Sequence, residues 1–137
     1  MNDRSFNLEN WTPPHPVPLR NTRPSAGGLV PYQVFGFPIL TEDLEAWANR
    51  LNVDPNLGKL TRQEHAWRIL RRSVPAEYKC HSKAVRFPRT SAATCIIIGS
   101  NNTPEDLART QDITLIKNVH KAIRTREPPD WFYILGR

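Results

Sequence analysis

Residues 94–99, Thr94-Cys95-Ile96-Ile97-Ile98-Gly99, carry four consecutive apolar side chains with no polar alternation. A strand half-exposed to water alternates polar and apolar residues, so an unbroken run marks a strand covered on both faces and central in its sheet. Residues 83–87 form a second strand candidate just upstream, and Pro88-Arg89-Thr90-Ser91 between the two is a connection of hairpin length. An antiparallel pair is expected there.

Upstream, residues 32–40 are rich in strand formers, and Gly36 and Pro38 within them signal a bulge or an edge. Thr41 is the expected N-cap of a first helix, with Glu42 and Asp43 in its opening turn, where the helix dipole favours negative charge. Leu44, Trp47, Ala48 and Leu51 then form one apolar stripe, which residues 52–58, containing Pro55, bring to an end. Thr61 and Glu64 have capping-box spacing and predict the start of a second helix. That helix turns Ala66, Trp67, Leu70 and Val74 to one face and His65, Arg68 and Arg72 to the other, and stops at Pro75.

Downstream, Thr103 followed by Pro104, Glu105 and Asp106 opens a helical region running to about residue 126 and broken near Gln111. Its core stripe is Leu115, Ile116, Val119 and Ile123. Pro128-Pro129 halts it, and the aromatic run at residues 131–135 reads as a last strand.

The order strand, helices, strand, strand, helix, strand matches a split β-α-β, ferredoxin-like pattern: one α+β domain over residues 31–137, an antiparallel sheet with helices on one face. The two helices predicted between the first two strands elaborate the simplest version of that pattern. Residues 1–30 read as a Pro-rich, largely irregular tail, in which Pro13-Pro14-His15-Pro16-Val17-Pro18 suits polyproline II. At 137 residues the chain is of single-domain size. No apolar run approaches the length needed to span a bilayer, and no leader is visible, so a membrane role is not expected and an intracellular location, cytoplasmic or nuclear, is.

The formal net charge is +6. Residues 59–89 carry nine basic residues (Lys59, Arg62, Arg68, Arg71, Arg72, Lys79, Lys83, Arg86 and Arg89) against Glu64 and Glu77, a net of +7 that leaves −1 for the remaining chain. Excess charge gathered in one third of a sequence is what an electrostatic footprint looks like, and the planar fork of arginine suits phosphate oxygens. Arg68, Arg71, Arg72, Lys79, Lys83 and Arg86 are therefore the candidate anion-binding residues. The competing account is a solvated helix face. A further basic stripe, Lys117, Lys121 and Arg124, would join the first if the two helices were neighbours.

Other chemistry is unmarked. Cys80, His81, Cys95, His65 and His120 are metal-ligand types without paired spacing, so no metal is expected. No nucleophile motif surrounds either cysteine, and no phosphate-binding glycine loop is present, so no cofactor is expected and an enzyme is the lesser alternative. Residues 95–98 lack the basic, aromatic signature of an RNA recognition motif, which disfavours base stacking on the sheet. Trp131 and Tyr133, on one strand face, suit core packing better than ligand stacking. The sequence thus predicts a small non-enzymatic module contacting RNA or DNA backbone. The alternative is a protein-interaction or assembly subunit using the Pro-rich tail or an edge strand.

Overall fold

The computed structural model describes residues 11–20, 28–87 and 92–135. Four strands, β1 (Val34–Ile39), β2 (His81–Arg86), β3 (Ala92–Ser100) and β4 (Asp130–Phe132), alternate with helices α1 (Thr41–Arg50), α2 (Lys59–Ser73), α3 (Pro104–Arg109) and α4 (Ile113–Ile123). The sheet is antiparallel throughout, in the order β2-β3-β1-β4, an α+β arrangement consistent with the ferredoxin-like pattern. The expected hairpin-like pairing of β2 with β3 is present, and β3 lies inside the sheet between β2 and β1.

The apolar run of β3 is divided between two cores. Ile96 and Ile98 join Phe35, Phe37 and Ile39 of β1 against Trp47, Ala48, Ala66, Leu70, Leu115, Ile116, Val119 and Ile123 from α1, α2 and α4. Cys95 and Ile97 face the other way, with Val34, Val85 and Phe132. The sheet covers this second face by curling: Ile134, beyond β4, makes an antiparallel bridge to Val85 of β2. Arg86 N donates to Tyr133 O and Leu135 N to Ala84 O, each at 3.0 Å. The rings of Phe87 and Phe132 meet edge to face at 5.7 Å across the closure.

Gly36 permits that curvature. The β1–β3 register shifts between Phe35 and Gly36, and a Cβ on Gly36 would run into the Ile96 carbonyl and stand 2.9 Å from Cys95 Sγ. Only a residue without a side chain lets the two backbones approach this closely at a bulge.

The helices depart from expectation mainly at their starts. Thr41 is not the N-cap of α1 but its first residue. Leu40 takes the cap position, and Asp43 Oδ2 accepts from the Leu40 amide at 2.9 Å. The Thr61–Glu64 spacing does not open α2, which begins two residues earlier after Gly58; Glu64 instead pairs with Arg68 one turn on. Thr103 caps α3 as expected, its side chain accepting from Asp106 N at 3.1 Å, and the break near Gln111 separates α3 from α4, which Asp112 caps. All four residues of the predicted α4 stripe are buried. Among the described residues no helix is long and apolar enough to cross a membrane.

Residues 11–20 carry no helix or strand, yet they lie on the domain. Trp11 packs against the helix-side core. Asn101, fully buried at the end of β3, donates from Nδ2 to the carbonyls of Pro18 (3.0 Å) and Pro31 (2.9 Å) and accepts at Oδ1 from Gln33 N (2.9 Å). Gln111 Nε2 donates to Pro14 O at 3.3 Å. The proline carbonyls, which no intrasegment ladder could satisfy, thus find donors on the domain.

Candidate functional site

The basic residues singled out in sequence are distributed as follows. Arg68, Arg71 and Arg72 stand exposed on the second half of α2. Arg68 spends part of its charge on Glu64 at 2.8 Å, while Arg71 stacks over Trp67 with its guanidinium carbon 5.9 Å from the ring centroid. Lys79 is exposed in the turn before β2, with a left-handed backbone (φ 54°). Lys83 and Arg86 are exposed on β2, but three residues apart, so they project to opposite faces of the strand. Lys83 pairs across from Cys95 on the curled face, and Arg86 from Ala92 on the helix face.

Arg62, counted among the same charges, is withdrawn from the surface. Its guanidinium is buried against the Val53 carbonyl and Asn49 Oδ1, with Glu45 at 3.8 Å, and it ties the start of α2 to the end of α1. The two basic helices are neighbours: the Ser73 hydroxyl of α2 is 3.1 Å from the Ala122 carbonyl of α4. Lys117, Lys121 and Arg124 are exposed on α4 and just after it.

Between the C-terminal end of α2 and the start of β2 lies a cleft of about 310 Å³, lined by Arg71, Val74, Cys80, His81, Ser82 and Ile96. The Ser82 hydroxyl and the His81 ring make no hydrogen bond among the described residues. Arg109, which sequence reasoning did not select, organises the neighbourhood. Its Nε donates to Ile98 O at 2.6 Å, and one terminal nitrogen donates to Tyr78 O and lies 4.0 Å from Cys80 Sγ. Burial, chiefly, holds His81 below the usual imidazole range, and the positive charges of Lys83 and Arg109 push the same way, opposed by Asp106. Burial and the two cations thus favour the neutral form of its ring. Burial raises the Cys80 thiol, with Arg109 partly opposing it, and Cys80 is accordingly a weak nucleophile.

The remaining candidates fall on separate elements. Cys95 is buried inside the curled sheet, its thiol pushed well up by burial alone. His65 is exposed on α2, and His120 stacks on Phe37 at 5.4 Å while its Nε2 lies 2.9 Å from the Thr125 carbonyl, an acceptor that fixes the proton on that nitrogen. Among the described residues no three such groups gather as metal ligands. Trp131 packs against the helix-side core and stacks, tilted, on Phe35 at 5.5 Å, whereas Tyr133 is half-exposed. A smaller cleft of about 200 Å³ beside Thr41, Glu42, Phe87 and Ala92 has one carboxylate and is otherwise mostly apolar. No protein-family model, no curated protein and no solved structure matches this chain.

Proposed function

We propose that this domain is a non-enzymatic module that binds a polyanion, a nucleic-acid backbone, through the end of α2, the α2–β2 turn and β2. The observation that carries the reading is an imbalance of exposed charge. Lys59, Arg68, Arg71, Arg72, Lys79, Lys83 and Arg86 are all exposed, and among them only Arg68 has a carboxylate partner among the described residues. Unpaired cations on a rigid helix end and strand attract phosphates at long range and exchange condensed counterions for direct contacts.

The curled sheet also bears on the mode of binding. Its second face is occupied by Val34, Val85, Cys95, Ile97 and Phe132, so bases have no open aromatic platform there, and contact is directed at phosphates. The Pro-rich run is a poorer partner-capture element, because the Pro14 and Pro18 carbonyls are engaged by the domain itself.

Titration of a fluorescent single-stranded oligonucleotide at several salt concentrations tests the reading. Expected is a linear fall of log affinity with log salt, little dependence on sequence, and a shallower slope for Arg71→Ala/Arg72→Ala. Failure to bind at low salt removes it.

A further inference from the structure

Resting on that reading, we infer that the nucleic-acid backbone continues from the end of α2 across the helix layer, and that Arg50 of α1 and Arg124, just after α4, form a further phosphate subsite on that path. Three helices meet there. The Ser73 hydroxyl of α2 lies 3.1 Å from the Ala122 carbonyl, which sets the end of α2 that carries the exposed Arg72 against the end of α4 that leads into Arg124. One residue beyond Ala122, the Ile123 carbonyl accepts from Trp47 Nε1 of α1 at 2.6 Å. Over the ring of that same tryptophan lies the Arg50 guanidinium, its central carbon 4.9 Å from the centroid. Trp47 thus holds the Arg50 fork beside the peptide that enters Arg124, and the stack leaves that fork less freedom to lose on binding.

The pair is short of negative charge. Arg50 and Arg124 are both exposed, and neither makes an ion pair among the described residues. Asp43 is the acid that acts on Arg50, but it is buried and its two oxygens are taken by the amides of Leu40 and Arg126. Burial, chiefly, draws the Arg50 guanidinium below its usual range, and the positive charge of Arg124 acts in the same direction. Arginine does not relieve such crowding by giving up its proton, whereas phosphate oxygens shared by two planar forks do relieve it. The backbone carries a matching sign: Arg124 sits at φ 53°, so a cation is kept where local geometry favours glycine. Continuity with Arg72 supplies the row of separate cations that a repeating phosphodiester needs.

The test measures the salt dependence of single-stranded oligonucleotide binding for the wild type, Arg50→Gln, Arg124→Gly and the double variant. Arg20→Gln, at an exposed arginine stacked over Tyr32, removes the same charge elsewhere. Expected is a log–log slope shallower by about 0.7 in each single variant and by about 1.4 in the double, an unchanged slope in Arg20→Gln, and a shift of the Trp47 indole N–H resonance when oligonucleotide binds the wild type. Arg124→Gly also separates binding from folding: by relaxing the left-handed backbone it is expected to raise the unfolding midpoint while lowering affinity. Unchanged slopes and an unmoved Trp47 resonance, with wild-type binding intact, overturn the subsite and leave the polyanion reading standing. An equal loss in Arg20→Gln reduces the effect to net charge and overturns it too, as does a poly-glutamate chain that binds as tightly with the same dependence on Arg50 and Arg124. Absence of oligonucleotide binding by the wild type at low salt overturns both.

Discussion

The side-chain amide of Asn101 donates both its protons to prolines distant in sequence, Pro18 at 3.0 Å and Pro31 at 2.9 Å. Its backbone is engaged as well, Asn101 N donating to Gln33 O at 3.2 Å and its carbonyl accepting from Arg20 N at 2.7 Å. One fully buried residue therefore fixes the chain before β1 in two places. Asn101→Ala leaves the two carbonyls and the Gln33 amide without partners, and a loss of about 2–4 kcal/mol is expected in denaturant titration. Asn101→Asp, which turns an acceptor toward two acceptors, is expected to cost more. A loss under 1 kcal/mol, on the order of one exposed hydrogen bond, would show that the contact carries little.

Lys79 and Arg124 both adopt left-handed backbones just after helical segments, where glycine is the usual occupant and an L side chain costs about 1 kcal/mol. Retaining cations at strained positions is understandable if the charge is used. Lys79→Gly is accordingly expected to raise stability by about 0.5–1 kcal/mol while weakening oligonucleotide binding at low salt. A variant that is stabilised with affinity unchanged would place Lys79 outside the binding surface.

Gly36→Ala sets a new Cβ against the Ile96 backbone carbonyl, which cannot rotate away as a flexible side chain would. A destabilisation of about 3 kcal/mol or more is expected from thermal or denaturant unfolding. Gly58→Ala, at a position with open space around it, serves as the contrasting substitution and is expected to change stability little.

Asp43 is buried at the start of α1, where Oδ2 accepts from Leu40 N and Oδ1 from Arg126 N at 3.0 Å. Burial is the largest influence and raises its carboxyl above the usual 3.8, against the two backbone donors and the Arg126 charge. A raised carboxyl favours the folded state fully below its unfolded value, and that contribution is lost as pH rises through the folded value. The stability difference between the wild type and Asp43→Asn should therefore shift in favour of the variant as pH climbs out of the carboxylate range. A difference that does not change with pH would contradict the raised value.

Thiol labelling separates the two cysteines. Cys95 is fully buried and its thiol is strongly raised, so it is expected to react with an aromatic disulfide reagent only at the rate of unfolding, whereas half-buried Cys80 reacts measurably in the native state.

Much of the fold was legible because hydrophobic period survives folding. The isoleucines of β3 and the Leu115, Ile116, Val119 and Ile123 stripe announce their neighbours directly. Helix starts were harder: Thr61 has capping spacing, yet the turn before it already has helical geometry, so α2 begins at Lys59 and the side-chain signal goes unused. For the site, the exposed cations of α2 and β2 could be named from charge density, but their direction could not. Lys83 and Arg86 differ by an odd number of strand residues, and Arg62 was drawn inward by the Val53 carbonyl, a contact no local pattern encodes. Arg109 and Asn101 escaped attention because their partners, Ile98, Tyr78, Pro18 and Pro31, are set by tertiary geometry; a lone arginine or asparagine in a helix or turn carries no periodic mark.

The bridge between Val85 and Ile134 has a consequence for how this molecule behaves in a crowd. An open antiparallel sheet presents rows of unsatisfied amides that recruit other chains, the seed of fibrils and swapped dimers. Here the amide of Arg86 and the carbonyl of Ala84 are already satisfied by residues 133 and 135 of the same polypeptide. That intramolecular seal joins positions some fifty residues apart, so it forms late in folding and opens early under stress. Aggregation of a damaged or truncated chain is thus expected to begin at β2.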